Sequence, residues 1–438
     1  MMKNNLTKSI TDFSRPTAFL SARILDSFCR KKLFAKMKRL RQGFISFEDA
    51  DGVFEKFGDT NAPADVRTHV RVTNARAYSR IALGGSVGTG ESYVDGDWEA
   101  SNLVALVRIF VMNRDVLNAL DSGLGAFFQP LQRALHRFRS NHEEQACANI
   151  RAHYDLGNDF FNLFLGPTWM YSSGIYPSPT ATLEEAQYEK NDRICRKLRI
   201  KPEQTLVEIG TGWGGFAIHA AKHYGCHVTT TTISQAQYDF AKARIISEKL
   251  EDRITLLLKD YRTLEGTFDH LVSIEMIEAV GLKYFNTYFK KCSSLLKPDG
   301  SMCLQGILIQ DQFYQQAAKS VDFIQTHVFP GSAIPSVSRI MESIQKQTDL
   351  KLFHLEDFGL HYARTLNEWH ARLNVQREEF SARGYSDALF RLWRYYFAYC
   401  EGGFLEKQIS VAQFVFTKPR HENLPVLIEN LETWEVLV

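Results

Sequence analysis

The sequence has no C-x-x-C pair, and its seven cysteines, at 29, 147, 195, 226, 292, 303 and 400, are odd in number. That usage fits neither a disulfide framework nor a zinc ribbon, and it suits a reducing cytoplasm. A long hydrophobic run is also missing. The most apolar window, LVALVRIFVM at 103 to 112, is interrupted by Arg108 and is too short to cross a bilayer. No apolar core of signal-peptide type stands at the N-terminus, so membrane contact is expected to be peripheral. No internal repeat and no low-complexity tract is present, which leaves an ordinary globular chain.

The 438 residues are 45% hydrophobic, enough for a large core divided into two or three units. A net charge of +2 hides an uneven distribution: residues 1 to 41 carry eleven Lys or Arg against Asp12 and Asp26. Within them, Leu20, Ile24, Leu25, Phe28, Phe34, Met37 and Leu40 recur at roughly helical spacing among basic residues. A basic amphipathic segment over 1–43 follows, suited either to an anionic lipid surface or to docking on the rest of the protein.

From 44 to 131, apolar runs alternate with turn signals such as Asp51-Gly52 and Gly84-Gly85, predicting a small α+β domain ending in helices. The polar stretch 132–152 reads as a linker helix. From 153 to 438 the pattern becomes strand and helix in alternation, with strands at 205–210, 227–233, 254–260, 269–275 and 301–309. Such alternation implies a parallel, doubly wound α/β sheet. Residues 311 to 405, mostly helical and aromatic, are expected to cap it before a last strand at 408–418.

The first of these strands runs into VEIGTGWGG, 207 to 215. Gly210, Gly212 and Gly215 satisfy the dinucleotide spacing G-x-G-x-x-G, whereas Glu208-x-Gly210-x-Gly212-x-Gly214 is the spacing used for S-adenosylmethionine. A dinucleotide site needs an acid at the end of the second strand for the ribose. Here that strand ends Thr231, Thr232, Ile233, Ser234, and Glu208 has the charge for a cationic ligand rather than a diphosphate. The nicotinamide-dependent reductase is thereby the weaker alternative, as is a lipid-binding protein with a degenerate core.

Separated stretches in matching order carry a resemblance: HYDLGNDFF (153 to 161), MYSSGIY (170 to 176), VEIGTGWGGFA (207 to 217), TISQAQ (232 to 237), SIEMIEAVG (273 to 281), FIQTHVFPGSAIPS (323 to 336) and YFAYCEGGF (396 to 404). Over 145 to 418 the chain resembles the cyclopropane-fatty-acyl-phospholipid synthases and the related mycolic acid and fatty acid C-methyltransferases. The resemblance implies a Rossmann-like class I methyltransferase fold with a helical cap, behind a smaller N-terminal α+β domain. It implies S-adenosylmethionine as methyl donor and a membrane phospholipid with an unsaturated acyl chain as acceptor. Its cofactor positions fall on Tyr171 and Ser172, on Glu208, Gly210 and Gly212, on Thr232, Ile233 and Gln237, and on Asp260 and Tyr261.

Methylating an unactivated double bond gives a carbocation, and closing a cyclopropane then needs a base; aromatic faces can stabilise the cation without capturing it. The cap supplies many aromatic residues, among them Phe329, Tyr362, Trp369, Trp393, Tyr396 and Phe397, most of them expected to be ordinary core. The resemblance implies a bicarbonate ion as base, at Glu278, Ile307 and Tyr362. Ser173 stands for the family's cysteine there, Gln305 for its histidine, and Ala279 for the histidine after the glutamate. Ser and Gln can still hydrogen-bond a small anion, and Glu278 can fix its protonation state or serve as base itself. Cys400 falls on a cysteine that the family pattern places in the active site, although such a cysteine more often packs as a small hydrophobe. His153, Asp155 and Asn158 are expected to order the entering loop or to cap a helix. Proton loss or reduction at a chain carbon would give a methylene or methyl branch instead of a ring. The expected location is cytoplasmic, peripheral on the inner membrane face, with no nucleic-acid partner and with room for a homodimer.

Overall fold

In the computed structural model of the chain, residues 16–114 and 156–422 are described, and they divide into two compact units. The linker stretch 132–152, Cys147 within it, lies outside the described residues, as do His153 and Asp155.

The smaller unit comprises α1 (Pro16–Met37), β1 (Phe44–Glu48), β2 (Phe54–Gly58), β3 (Arg67–Val72), α2 (Arg76–Val94) and β4 (Trp98–Ala100). Its sheet has the order β2-β1-β3-β4, with β1 and β3 parallel and the other pairs antiparallel. Gly52, at φ 75°, sits in the Asp51-Gly52 turn that joins β1 to β2. Gly84-Gly85 is not a chain-reversing turn. It lies inside α2, where Gly85 takes φ 54° and ψ −134° and kinks the helix. The amphipathic character of α1 is split along its length. Cys29, Phe34 and Met37 are buried in the unit, whereas Ile24, Leu25 and Phe28 are exposed.

The larger unit begins with α3 (Leu103–Met112), which the sequence reading placed in the smaller domain. Its Leu103, Ala105, Leu106 and Ile109 are buried, and Arg108 forms an ion pair with Glu406 at 2.6 Å within the larger unit. The unit continues with α4 (Asn158–Phe161), α5 (Leu183–Leu198), β5 (Thr205–Ile209), α6 (Gly215–Tyr224), β6 (His227–Thr232), α7 (Gln235–Ser247), β7 (Ile254–Leu258) and β8 (Phe268–Ile274). It is completed by α8 (Phe285–Ser294), β9 (Leu296–Ile309), α9 (Asp311–Ala317), α10 (Val337–Gln347), β10 (Lys351–Asp357), α11 (Gly359–Val375), α12 (Arg377–Ala382), α13 (Asp387–Leu405) and β11 (Ile409–Thr417).

Seven strands form one sheet in the order β10-β11-β9-β8-β5-β6-β7. Strands β5 to β9 pair in parallel, and β11 enters antiparallel between β9 and β10. Apolar side chains leave the central strands on both faces: Val207, Leu271 and Met302 join one layer with Phe285 and Phe289, and Leu206, Val228 and Cys303 join the other with Phe216. The order reverses between β5 and β8, and ligands of open α/β sheets bind beyond the carboxyl ends of the strands at such a point.

Two sequence expectations change. The segment 351–357, read within a helical cap, is the edge strand β10; its residues are exposed or half-buried without regular alternation, and no fully buried face announces a strand. The strand read as 301–309 starts earlier, at Leu296, as β9, and its pairing with β8 shifts register between Phe268 and His270.

Candidate active site

The carboxyl ends of β5, β6, β7 and β8 bring most of the candidate residues to one edge. After β5, Gly210 has φ 103°, a backbone state that a side chain disfavours. Its N–H and that of Thr211 both donate to Thr231 O, at 3.1 and 3.0 Å, which fastens the turn to β6. A Cβ on Gly215 would lie 2.2 Å from Met170 Sδ and 3.2 Å from Thr168 O, so a side chain there would displace the Met170 thioether from the helix start. Trp213 Nε1 donates to Asn158 Oδ1 at 2.7 Å, and α4 thereby holds the glycine turn from the other side.

Glu208 is 2% exposed, and its Oε2 accepts from Thr230 Oγ1 at 2.6 Å. Burial pushes its carboxyl up to about 8, with the Thr230 bond and Lys190 pulling the other way. At the end of β6, Thr232 Oγ1 donates to Gln237 Oε1 at 2.8 Å, and Ser234 caps α7 by accepting from Gln237 N. Ile233 is half-buried between them. Both Asp260 oxygens are engaged by Arg262, whose nearest approach is 2.6 Å, and Tyr261 beside it is half-buried.

The 171–174 segment crosses the same edge. Tyr171 donates its hydroxyl to Tyr396 at 3.3 Å, and Ser172 Oγ accepts from Lys190 Nζ at 2.9 Å. Lys190 on α5 is fully buried, in the field of Glu208 and Glu275; burial lowers its pKa and the two carboxylates oppose that shift. The sequence reading missed Lys190, because α5 looks like a solvated charged helix.

It also missed Glu275. This residue follows β8 with φ 50°, a left-handed state that costs a non-glycine residue about 1 kcal/mol. Its Oε1 accepts from Ser173 N at 2.9 Å and from Gln305 Nε2 at 2.8 Å; its Oε2 accepts from the Tyr362 hydroxyl at 2.6 Å. Three of the positions that the resemblance assigns to a bicarbonate thus meet at one carboxylate of the chain itself. Glu278 stands next to it: Oε1 accepts from Ile307 N at 2.5 Å, while Oε2 is buried without a hydrogen-bond partner. Burial, and secondarily the Glu275 charge, push Glu278 up to about 8.

Above this cluster lie rings of the cap. Tyr171 packs against Phe161, Phe329, Trp369 and Trp393 at centroid distances of 5.5, 6.2, 5.3 and 6.4 Å, and Tyr362 against Phe404 at 4.6 Å. Other aromatics of the cap form separate pairs: Phe323 meets Tyr395, and Phe390 meets Phe380. Cys400 is half-buried on α13, and burial pushes its thiol well up, so it is a neutral thiol and not a nucleophilic thiolate.

A sheet of this order, with a glycine turn and a buried acid at the end of its first strand, defines a Rossmann-like S-adenosylmethionine-dependent methyltransferase. The sequence pattern of the mycolic acid cyclopropane synthetases matches residues 141–414. The chain is 35% identical to the cyclopropane-fatty-acyl-phospholipid synthase of Escherichia coli K12, over 84% of this chain and 91% of that one. It is 31% identical to a tuberculostearic acid methyltransferase of Mycobacterium tuberculosis, over 77% and 80%. A crystal structure of a mycolic acid cyclopropane synthase complexed with SAH and CTAB superposes with a TM-score of 0.59 at 28% identity, over 64% of this chain and 99% of that one. The chain belongs to the mycolic acid cyclopropane synthetase family. The nicotinamide alternative is thereby set aside.

Proposed function

We propose that this protein is a cyclopropane-fatty-acyl-phospholipid synthase, which adds a one-carbon unit from S-adenosylmethionine across the cis double bond of a phospholipid acyl chain. The observation that carries the reading is the meeting of a glycine turn, a buried carboxylate cluster and an aromatic cap at one sheet edge. The similarity to the Escherichia coli enzyme over most of both chains supports the same substrate class.

When bound, S-adenosylmethionine supplies an electrophilic methyl group on a sulfonium. Gly210 and Gly212 let backbone approach it, and Glu208 complements its positive charge. Thr232, Ile233 and Gln237 serve the ribose and methionine contacts, Asp260 and Tyr261 flank the adenine, and Tyr171 with Ser172 forms the loop over the methionine end. Faces of Tyr171, Trp369 and Tyr362 stabilise the positive charge that develops on the acyl chain. Ser173, Gln305, Ile307 and Glu278 build the polar end where a proton must leave, and Cys400 lines the cap as a small apolar group. Bicarbonate, the base that the resemblance implies, would have to compete there with the Glu275 carboxylate for its donors.

No helix among the described residues is long and apolar enough to cross a membrane. Docking on the inner membrane face is supported by exposed Ile24, Leu25 and Phe28 beside exposed Arg23, Lys31 and Lys32, each basic residue contributing about 1 kcal/mol at an anionic surface. The boundaries 1–43, 44–131, 132–152 and 153–438 belong to this proposal, with α3 counted to the catalytic body.

A second reading, a methyl or methylene branch instead of a ring, is favoured by the similarity to the tuberculostearic acid methyltransferase and by Ser173, Ala279 and Gln305. Incubating the protein with S-adenosylmethionine and vesicles of a monounsaturated phospholipid separates the two. High-field cyclopropane protons in the NMR spectrum of the product are expected; methylated lipid without them establishes the second reading.

A further inference from the structure

We propose that Glu275 is the proton acceptor of the reaction, a carboxylate carried by the chain in place of a bound anion. This inference rests on the cyclopropane reading and names the base within it. The geometry is that of an anion site already filled: a peptide N–H from Ser173, an amide from Gln305 and a hydroxyl from Tyr362 all point at one carboxylate, from three separate elements.

The direction of these bonds requires an acceptor at that place. Lys197, ion-paired with Glu356, donates to Gln413 Oε1 at 2.8 Å, and Gln413 Nε2 donates to Gln305 Oε1 at 3.0 Å. Lysine can only donate, so both amides are turned the same way and Gln305 must present its NH2 to Glu275. The chain of amides therefore favours the ionised carboxylate. Burial raises the Glu275 pKa, and the bonds from Tyr362, Gln305 and Ser173, with Lys190 nearby, oppose that shift. The backbone there is left-handed, φ 50°, a strained state at the edge of the site that the three bonds hold in place.

Glu278 is the rival base. It has one backbone donor and its other oxygen has no partner, so its carboxylate is held by far fewer donors than that of Glu275.

In the first half of the reaction, the π pair of the double bond forms a bond to the methyl carbon as that carbon's bond to sulfur breaks, leaving a neutral thioether and a cation on the adjacent chain carbon. A C–H bond of the delivered methyl then breaks; its electron pair closes the three-membered ring, and the proton passes to Glu275. Glu275 returns the proton to water after the product leaves.

The test uses full-length protein, S-adenosylmethionine and monounsaturated phospholipid vesicles in buffer freed of carbon dioxide. Wild-type protein is expected to keep its turnover there, and addition of bicarbonate to change it less than twofold. Glu275→Gln is expected to lose at least a hundredfold in kcat with unchanged affinity for S-adenosylhomocysteine, and bicarbonate to restore nothing. Glu275→Gly, which suits the left-handed backbone and opens the three donors to an anion, is expected to be equally impaired until bicarbonate is added. A wild type that stops without bicarbonate, or a Glu275→Gln protein within a few-fold of wild type, overturns the assignment. A wild type that methylates no lipid with bicarbonate present overturns the cyclopropane reading itself.

Discussion

Tyr362 on α11 donates its hydroxyl to Glu275 Oε2 at 2.6 Å, so the cap is latched to the end of β8 at the point where the chemistry is proposed. Tyr362→Phe removes that donor and leaves the ring. Hydrogen bonds to charged groups contribute about 1.5–3 kcal/mol, so kcat is expected to fall about ten- to a hundredfold while affinity for S-adenosylhomocysteine holds. Steady-state rates beside calorimetric titration check this; equal losses in both would mean that Tyr362 supports the cofactor end instead.

Glu278 and Glu275 are neighbours with different expected roles. Glu278→Gln keeps an acceptor for Ile307 N and mimics the protonated acid that prevails below about 8. Turnover at pH 7 is expected to drop less than about tenfold, against the far larger loss for Glu275→Gln. The reverse ranking would move the base to Glu278.

Cofactor binding is expected to be proton-linked through Glu208. Its carboxyl titrates in the folded protein at about 8, above the ordinary value, because burial penalises the anion. For such an acid the free protein is most stable at low pH, and that contribution is lost as pH rises through about 8. Glu278 shifts the same way, so stability alone does not isolate Glu208. A cationic ligand favours the anion. Its binding therefore releases a proton, and affinity climbs between pH 6 and about 8 by at most tenfold per unit. Titration of S-adenosylmethionine in two buffers of different ionisation heat reads the proton directly, and Glu208→Gln is expected to abolish it.

The bond from Trp213 Nε1 to Asn158 Oδ1 fixes the glycine turn against α4. Trp213→Phe keeps an aromatic ring and loses the donor to the half-buried Asn158, at a cost of about 0.5–1.5 kcal/mol. A weaker affinity for S-adenosylhomocysteine, by about tenfold, is expected, with the melting temperature lowered by only about 2–4 °C. Unchanged affinity would show that the turn holds its shape without α4.

The sheet and the glycine turn were legible because their signals are local: apolar runs of strand length, helical spacings between them, and Glu208 with its glycines in seven positions. Glu275 carries no such signal. It stands as the last letter of DHLVSIE, and its meaning comes from Ser173, Gln305 and Tyr362, which lie 102, 30 and 87 residues away. Lys190 was hidden for a different reason, since a lysine in LEEAQYEKNDRICRKL looks solvated until tertiary packing covers it. The strand β10 was missed because an edge strand buries too little to impose a period-two pattern. Gln305 looked like a weakened histidine in isolation. In place, its amide is the donor that an ionised glutamate needs.

Loss of a proton from the newly delivered carbon is read most directly with S-adenosylmethionine bearing a trideuterated methyl group and a monounsaturated phospholipid. Mass spectrometry and NMR of the product are expected to show a cyclopropane whose new carbon keeps two of the three deuterium atoms. A product that keeps all three as a methyl branch, or that carries two on an exocyclic double bond, would contradict ring closure by proton transfer to Glu275.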